Sequence, residues 1–180
     1  MNEIVEELRK WREARNMQDT EFVVEKEVAS MLDECKEVLL AETDEHRAEE
    51  YCDIAIFAFN GLGLLREHYD GSFKIEGSCV SIVLESLSSM LKVKSGWKIA
   101  TELNYIIQLC EFAVNELGYD FKKMMLEKIK VISSREQDPE QAKEWALNGA
   151  SGKWEKNRNQ SKDTLYKPDF ESCRISTNDH

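Results

Sequence analysis

Glu34 and Glu37 stand three residues apart, and Glu50 and Asp53 repeat the spacing. Residues three apart share one face of a helix, so each pair projects two carboxylates in one direction. Between Asp19 and Glu50, twelve acids stand against only Lys26, Lys36 and Arg47. A solvated helix surface is the ordinary account of such a stretch, but the register of these acids argues against it. The two pairs are equidistant from the turn at Thr43-Asp44, so in an antiparallel hairpin Glu34 faces Asp53 and Glu37 faces Glu50. Carboxylates at one level repel, and Asp53 leads into the apolar run YCDIAIFAFNGLGLL, where an unpaired charge is expensive. A hard divalent cation resolves both problems. Oxygen donors without His or Cys favour magnesium, with manganese as the alternative.

Positioning those acids takes two long helices and a short turn, and the chain supplies them. Val28, Met31, Leu32, Cys35, Val38 and Leu39 recur at helical spacing, predicting a helix that Asp19 or Thr20 caps and that runs to about residue 40. Thr43 or Asp44 caps the next, which carries Glu50 and Asp53 into the apolar run. Around this hairpin the pattern predicts helices over about 3–15, 80–93, 97–117 (stopped by Gly118) and 120–133, and a short one opened by Asp138-Pro139. No strand-like alternation has useful length. The fold expected is all-α: a four-helix bundle core with additional helices, in one domain over 1–148. Residues 149–180 are polar, basic in part and aperiodic, and read as an extended, irregular tail.

The bulk composition narrows the function class. Net charge is −11, which argues against a nucleic-acid-binding protein. No apolar run approaches the roughly 20 residues that span a bilayer, and the charged first residues lack a signal-peptide core. No membrane association and a cytoplasmic location are the expectations. Cys35, Cys52, Cys79, Cys110 and Cys173 match no metal-binding spacing and read as buried free thiols, which suit a reducing compartment.

Glu34-x-x-Glu37, twelve residues, then Glu50-x-x-Asp53 resembles the signature of the all-α nucleoside triphosphate pyrophosphohydrolases. That superfamily includes MazG-type enzymes, dimeric dUTPases, dCTPases and phosphoribosyl-ATP pyrophosphohydrolase. A second resemblance, to the tails of MazG-like and phosphoribosyl-ATP pyrophosphohydrolase-like proteins, lies in Ser134-Arg135, Gly152-Lys153-Trp154-x-Lys156 and Tyr166-x-Pro168-Asp169. Relatives often carry Asn at the position of Ser133. Residues 72–117 match no motif and read as an extra helical pair.

The resemblance implies a magnesium-dependent enzyme that cleaves a nucleoside triphosphate to a monophosphate and pyrophosphate, or a related activity on phosphoribosyl-ATP. The alternative from another class is a non-catalytic helical interaction protein. Glu34, Glu37, Glu50 and Asp53 would hold metal, with Glu37 or Glu34 as general base. Arg135, Lys153 and Lys156, and Tyr166 in the tail, would contact substrate, so the tail completes the site. Asn60, two helical turns beyond Asp53, would read a base edge or a sugar hydroxyl; a hydrogen bond within the core is the competing role. Trp11 suits a core or interface position more than base stacking, and His46 and His68 read as ordinary surface residues. A homodimer or homotetramer is implied, since one acid-lined face needs partners to close it.

Overall fold

A computed structural model describes residues 1–17, 21–75, 77, 80–150 and 154–176. Seven helices order them: α1 (Asn2–Glu13), α2 (Val24–Leu40), α3 (Asp44–Leu64), α4 (Val80–Met90), α5 (Gly96–Glu116), α6 (Phe121–Ser133) and α7 (Pro139–Asn148). Two short 3-10 turns follow, at Lys162–Thr164 and Glu171–Cys173. The chain is all-α, and no described helix is long and apolar enough to cross a membrane.

Most helix ends have a local cause. The Thr43 hydroxyl accepts from the His46 amide and starts α3. Asp120 does the same for α6 through the Lys123 amide. Asp138 caps α7, with Pro139 in its first turn where a missing N–H costs nothing. Gly118 follows α5 with φ +85°, a conformation open to glycine. The caps expected for α2 at Asp19 or Thr20 lie outside the described residues. That helix begins at Val24, after Val23, with no side-chain cap.

Helices α2, α3, α5 and α4 form a closed ring, each packed on the next, with α4 returning to α2. Residues 72–117 are therefore not an added pair. They supply half of the four-helix core, through Val83, Leu87 and Met90 on α4 and Leu103, Ile106 and Ile107 on α5, all buried. Helix α3 is the hub. It also packs on α1 and α6, and Ala48, Ala55 and Ala58 are fully buried, letting its neighbours approach closely. Cys35, Cys52, Cys110 and Cys173 are buried free thiols, as expected; Cys79 lies outside the described residues.

The tail is irregular and largely exposed, yet it is docked on the helices. Phe170 and Cys173 are buried in the core cluster. The Asp120 amide donates to Cys173 O at 2.8 Å, and the Ile175 amide to Gly118 O at 2.9 Å. Closer to α7, the Asp138 amide donates to Glu155 O and the Asn157 amide to Glu136 O, both at 2.8 Å. The chain after α7 is thus sewn against the start of that helix, beside the acid-bearing hairpin.

Candidate metal centre and cleft

The hairpin places Glu34 on α2 beside Glu50 and Asp53 on α3. One carboxylate oxygen from each lies within 4.8 Å of the others. Glu34 and Asp53 meet as their symmetric positions predict. Glu37 does not join them: its side chain is 44% exposed and lies 3.7 Å from Lys36. Three residues turn a helix through about 300°, so the second acid of a pair points about 60° from the first. On α3 both acids stay inside because that helix is enclosed on most sides. On α2, at the ring's edge, the divergence carries Glu37 outward. Glu50 is met instead from its own helix: His46, one turn earlier on α3, places Nε2 3.0 Å from Glu50 Oε1. His46 is a surface residue, as its position suggests, with 46% of its side chain exposed, and it also borders the acid group through Glu50.

Lys128 on α6 was not expected there at all. Only 3% of its side chain is exposed; its Nζ lies 2.5 Å from Glu49 Oε1 and 2.8 Å from Asp53 Oδ2. One signal could have found it: Lys128 falls between Met124 and Ile132 on the buried stripe of α6, where a lysine needs an acid. Burial raises the Asp53 pKa, and Lys128 opposes that shift. Glu50 is also raised, first by burial and then by the charge of Asp53. For Lys128 burial favours the neutral amine, but Asp53 and Glu49 outweigh it and hold the ammonium charged.

Glu34 and Asp53 line one wall of a cleft of about 1000 Å³, bounded by α2, α3, the end of α1 and the segments that flank α7. Arg135, Lys156 and Arg158 line it, bringing cations from the α6–α7 link and the tail towards the acids. Arg135 is close enough to Asp53 to favour its charged form. Lys153 lies outside the described residues. Tyr166 does not line the cleft. Its hydroxyl donates to Glu127 Oε2 at 2.7 Å and its amide to Ser134 Oγ at 2.9 Å, so it fastens the tail to α6.

Asn60 and Trp11 line the same cleft. Trp11 is 8% exposed, donates from Nε1 to Ile132 O, and meets Trp154 edge to face at 5.9 Å. Arg15 lies over both rings and donates to the carbonyls of Ile132, Ser133 and Arg135, closing the C-terminus of α6. Arg12, 8% exposed, donates from Nη1 to Asn60 Oδ1 at 2.7 Å.

The donor set suits a hard cation. Ligands of an octahedral magnesium lie about 3 to 4 Å apart; the observed spread is only slightly wider, and burial makes three carboxylates this close unfavourable unless cations offset them, a part that Lys128 fills for Asp53. Compared with known proteins, the chain matches no family model, no curated protein and no solved structure.

Proposed function

We propose that this protein is a divalent-metal-dependent nucleoside triphosphate pyrophosphohydrolase. The observation that carries the reading is one cleft holding carboxylates Glu34 and Asp53 together with cations Arg135, Lys156 and Arg158. Acids alone suit a metal and cations alone suit an anion. Both in one cleft suit a metal–polyphosphate complex.

Glu34, Glu50 and Asp53 would hold magnesium, which offsets triphosphate charge and acidifies bound water. Arg135 receives phosphate oxygens, its planar fork matching them in pairs, and Lys156 and Lys153 add charge from the tail. Glu34 or Glu37 accepts a proton from the attacking water. That water's oxygen bonds to the α-phosphorus as the bond to the α–β bridging oxygen breaks, and pyrophosphate leaves carrying the electron pair. Glu34 is better placed for the proton than Glu37, which stands outside the carboxylate group. Exposed Leu39 and Leu40 at the end of α2 support a homodimer or homotetramer, testable by light scattering.

A second reading has its own support. Lys128 already neutralises part of the acid group, which fits a helical interaction protein that needs no metal. A panel of common nucleoside triphosphates and phosphoribosyl-ATP, assayed for pyrophosphate release with and without magnesium, separates the two. Magnesium-dependent release that Glu34→Gln lowers at least about 100-fold is the expected result. No release from any member, with no effect of magnesium on thermal stability, would sink the enzymatic reading.

A further inference from the structure

Arg12 and Asn60 form a pair with an unambiguous polarity. A guanidinium has only donors, so the amide oxygen of Asn60 must face Arg12 and its Nδ2 must point away. That Nδ2 has no partner among the described residues, and Asn60 lines the cleft. Arg12 is itself more than nine-tenths buried, also lines the cleft, and has no carboxylate within ion-pairing distance among the described residues. Among the described residues, its only side-chain hydrogen bond goes to the neutral amide. Trp154 lines the same cleft, but its Nε1 is sealed from solvent and has no hydrogen-bond partner among the described residues.

This part of the cleft is therefore built from N–H donors that lack acceptors. The free donors of Asn60 and Arg12 meet water in the open cleft, so a base that covers them must replace that water with a carbonyl oxygen or leave a donor unpaired. The position matters as well. Asn60 is seven residues from Asp53 on α3, about 10 Å along the helix, which is where the base of a nucleotide lies when its phosphates are at the acids.

We propose that the cleft selects nucleotides whose base presents a carbonyl where Asn60 and Arg12 meet it: oxo bases such as uracil, thymine, guanine and hypoxanthine. Cytosine and adenine carry an exocyclic amine at the corresponding pyrimidine 4 or purine 6 position, and the amine would oppose donor to donor. This rests on the pyrophosphohydrolase reading and deepens it.

Two substrate pairs isolate the exchange of oxygen for amine: dUTP against dCTP, and ITP against ATP. Turnover and equilibrium binding are measured for all four with magnesium. The expected result is a preference in kcat/KM of at least about 10-fold for the oxo member of one or both pairs, the cost of one unsatisfied buried donor. Asn60→Asp, which replaces Nδ2 by an acceptor oxygen, should collapse or invert that ratio. A selective loss for the oxo member shows that the variant still folds. Equal turnover within both pairs, a preference for the amino members, or a ratio unmoved by Asn60→Asp would overturn the selection and leave the reaction class standing. Oxo-selective binding without turnover would keep the selection and overturn the reaction class. Neither binding nor turnover of any member would overturn both.

Discussion

Lys128 Nζ lies 2.8 Å from Asp53 Oδ2, deep between α6 and α3. A lysine on an otherwise apolar stripe thus serves as a resident counter-charge for the acid group. It reduces the repulsion between Asp53 and Glu50 and leaves the remaining carboxylate oxygens to face the cleft.

Removing that counter-charge should be severe without metal. Lys128→Met leaves the half-buried Glu49 and Asp53 without their buried ammonium; deleting one partner of a fully buried pair costs about 3 to 5 kcal/mol, and the partial exposure of the acids puts this loss below that range. Denaturant unfolding with and without magnesium measures it. Millimolar magnesium should recover part of the loss by supplying charge to Asp53, and an equal loss in both conditions would show that the acids do not share a cation.

Glu50 should respond in the opposite sense. Its folded pKa is raised above the ordinary carboxylate value, by burial and then by Asp53. A group that binds its proton more tightly when folded stabilises at low pH, and that contribution is lost as pH rises through the folded pKa. Glu50→Gln removes this dependence, so without metal it should be at least as stable as the parent at neutral pH. With magnesium at about 100 times its Kd, the parent should gain about 2.7 kcal/mol, or roughly 5 to 10 °C in Tm for a chain of this size. Glu50→Gln should lose most of that gain. A variant that retains the full magnesium shift would remove Glu50 from the ligand set.

Gly63 keeps open the space that Arg12 occupies. A Cβ there would sit 2.5 Å from Arg12 Nη2 and 2.8 Å from Cζ, too close for either atom to stay. Gly63→Ala should displace the guanidinium and break its bond to Asn60, at a cost of about 1 to 3 kcal/mol for overpacking. The magnesium-induced rise in Tm should persist, because the acids lie about three turns away on α3. If Gly63→Ala abolishes the magnesium shift, the two ends of the cleft are not independent.

How much of this was legible in the sequence depends on range. Thr43, Asp120, Asp138-Pro139 and Gly118 act within one turn of themselves, and the helices they bound are close to those the sequence predicts. The meeting of Glu34 with Asp53 was also legible, because a short turn forces adjacent helices to pair in register. The failure of Glu37 to follow depends on how far each helix is enclosed, which only the ring of α2, α3, α5 and α4 decides. Lys128 reaches a partner 79 residues away, and no local spacing reports that. The docked tail was hidden for a related reason: an irregular segment has no periodicity, and its anchors are isolated residues such as Phe170, Cys173 and Tyr166.

One carboxylate fastens the middle of that tail. Glu127 accepts from the Tyr166 hydroxyl at 2.7 Å and the Asp169 amide at 3.0 Å, and pairs with Lys130 at 2.5 Å. Burial alone would raise its pKa, but Lys130, the Asp169 amide and Tyr166 together lower it below the ordinary 4.5. A depressed carboxylate stabilises the fold above its unfolded pKa, and that contribution is lost as pH falls through the folded value. The tail should therefore hold at neutral pH and loosen only below about pH 4.5. Glu127→Gln removes the charged acceptor at every pH, at a cost of about 1.5 to 3 kcal/mol for hydrogen bonds to a charged group. Limited proteolysis reads the outcome directly. Tryptic cleavage after Lys162 or Arg174 should accelerate in Glu127→Gln at pH 7 while cleavage within α2 and α3 stays slow. If the tail of the variant resists protease as the parent's does, Phe170 and Cys173 hold it without Glu127, and the carboxylate is not its latch.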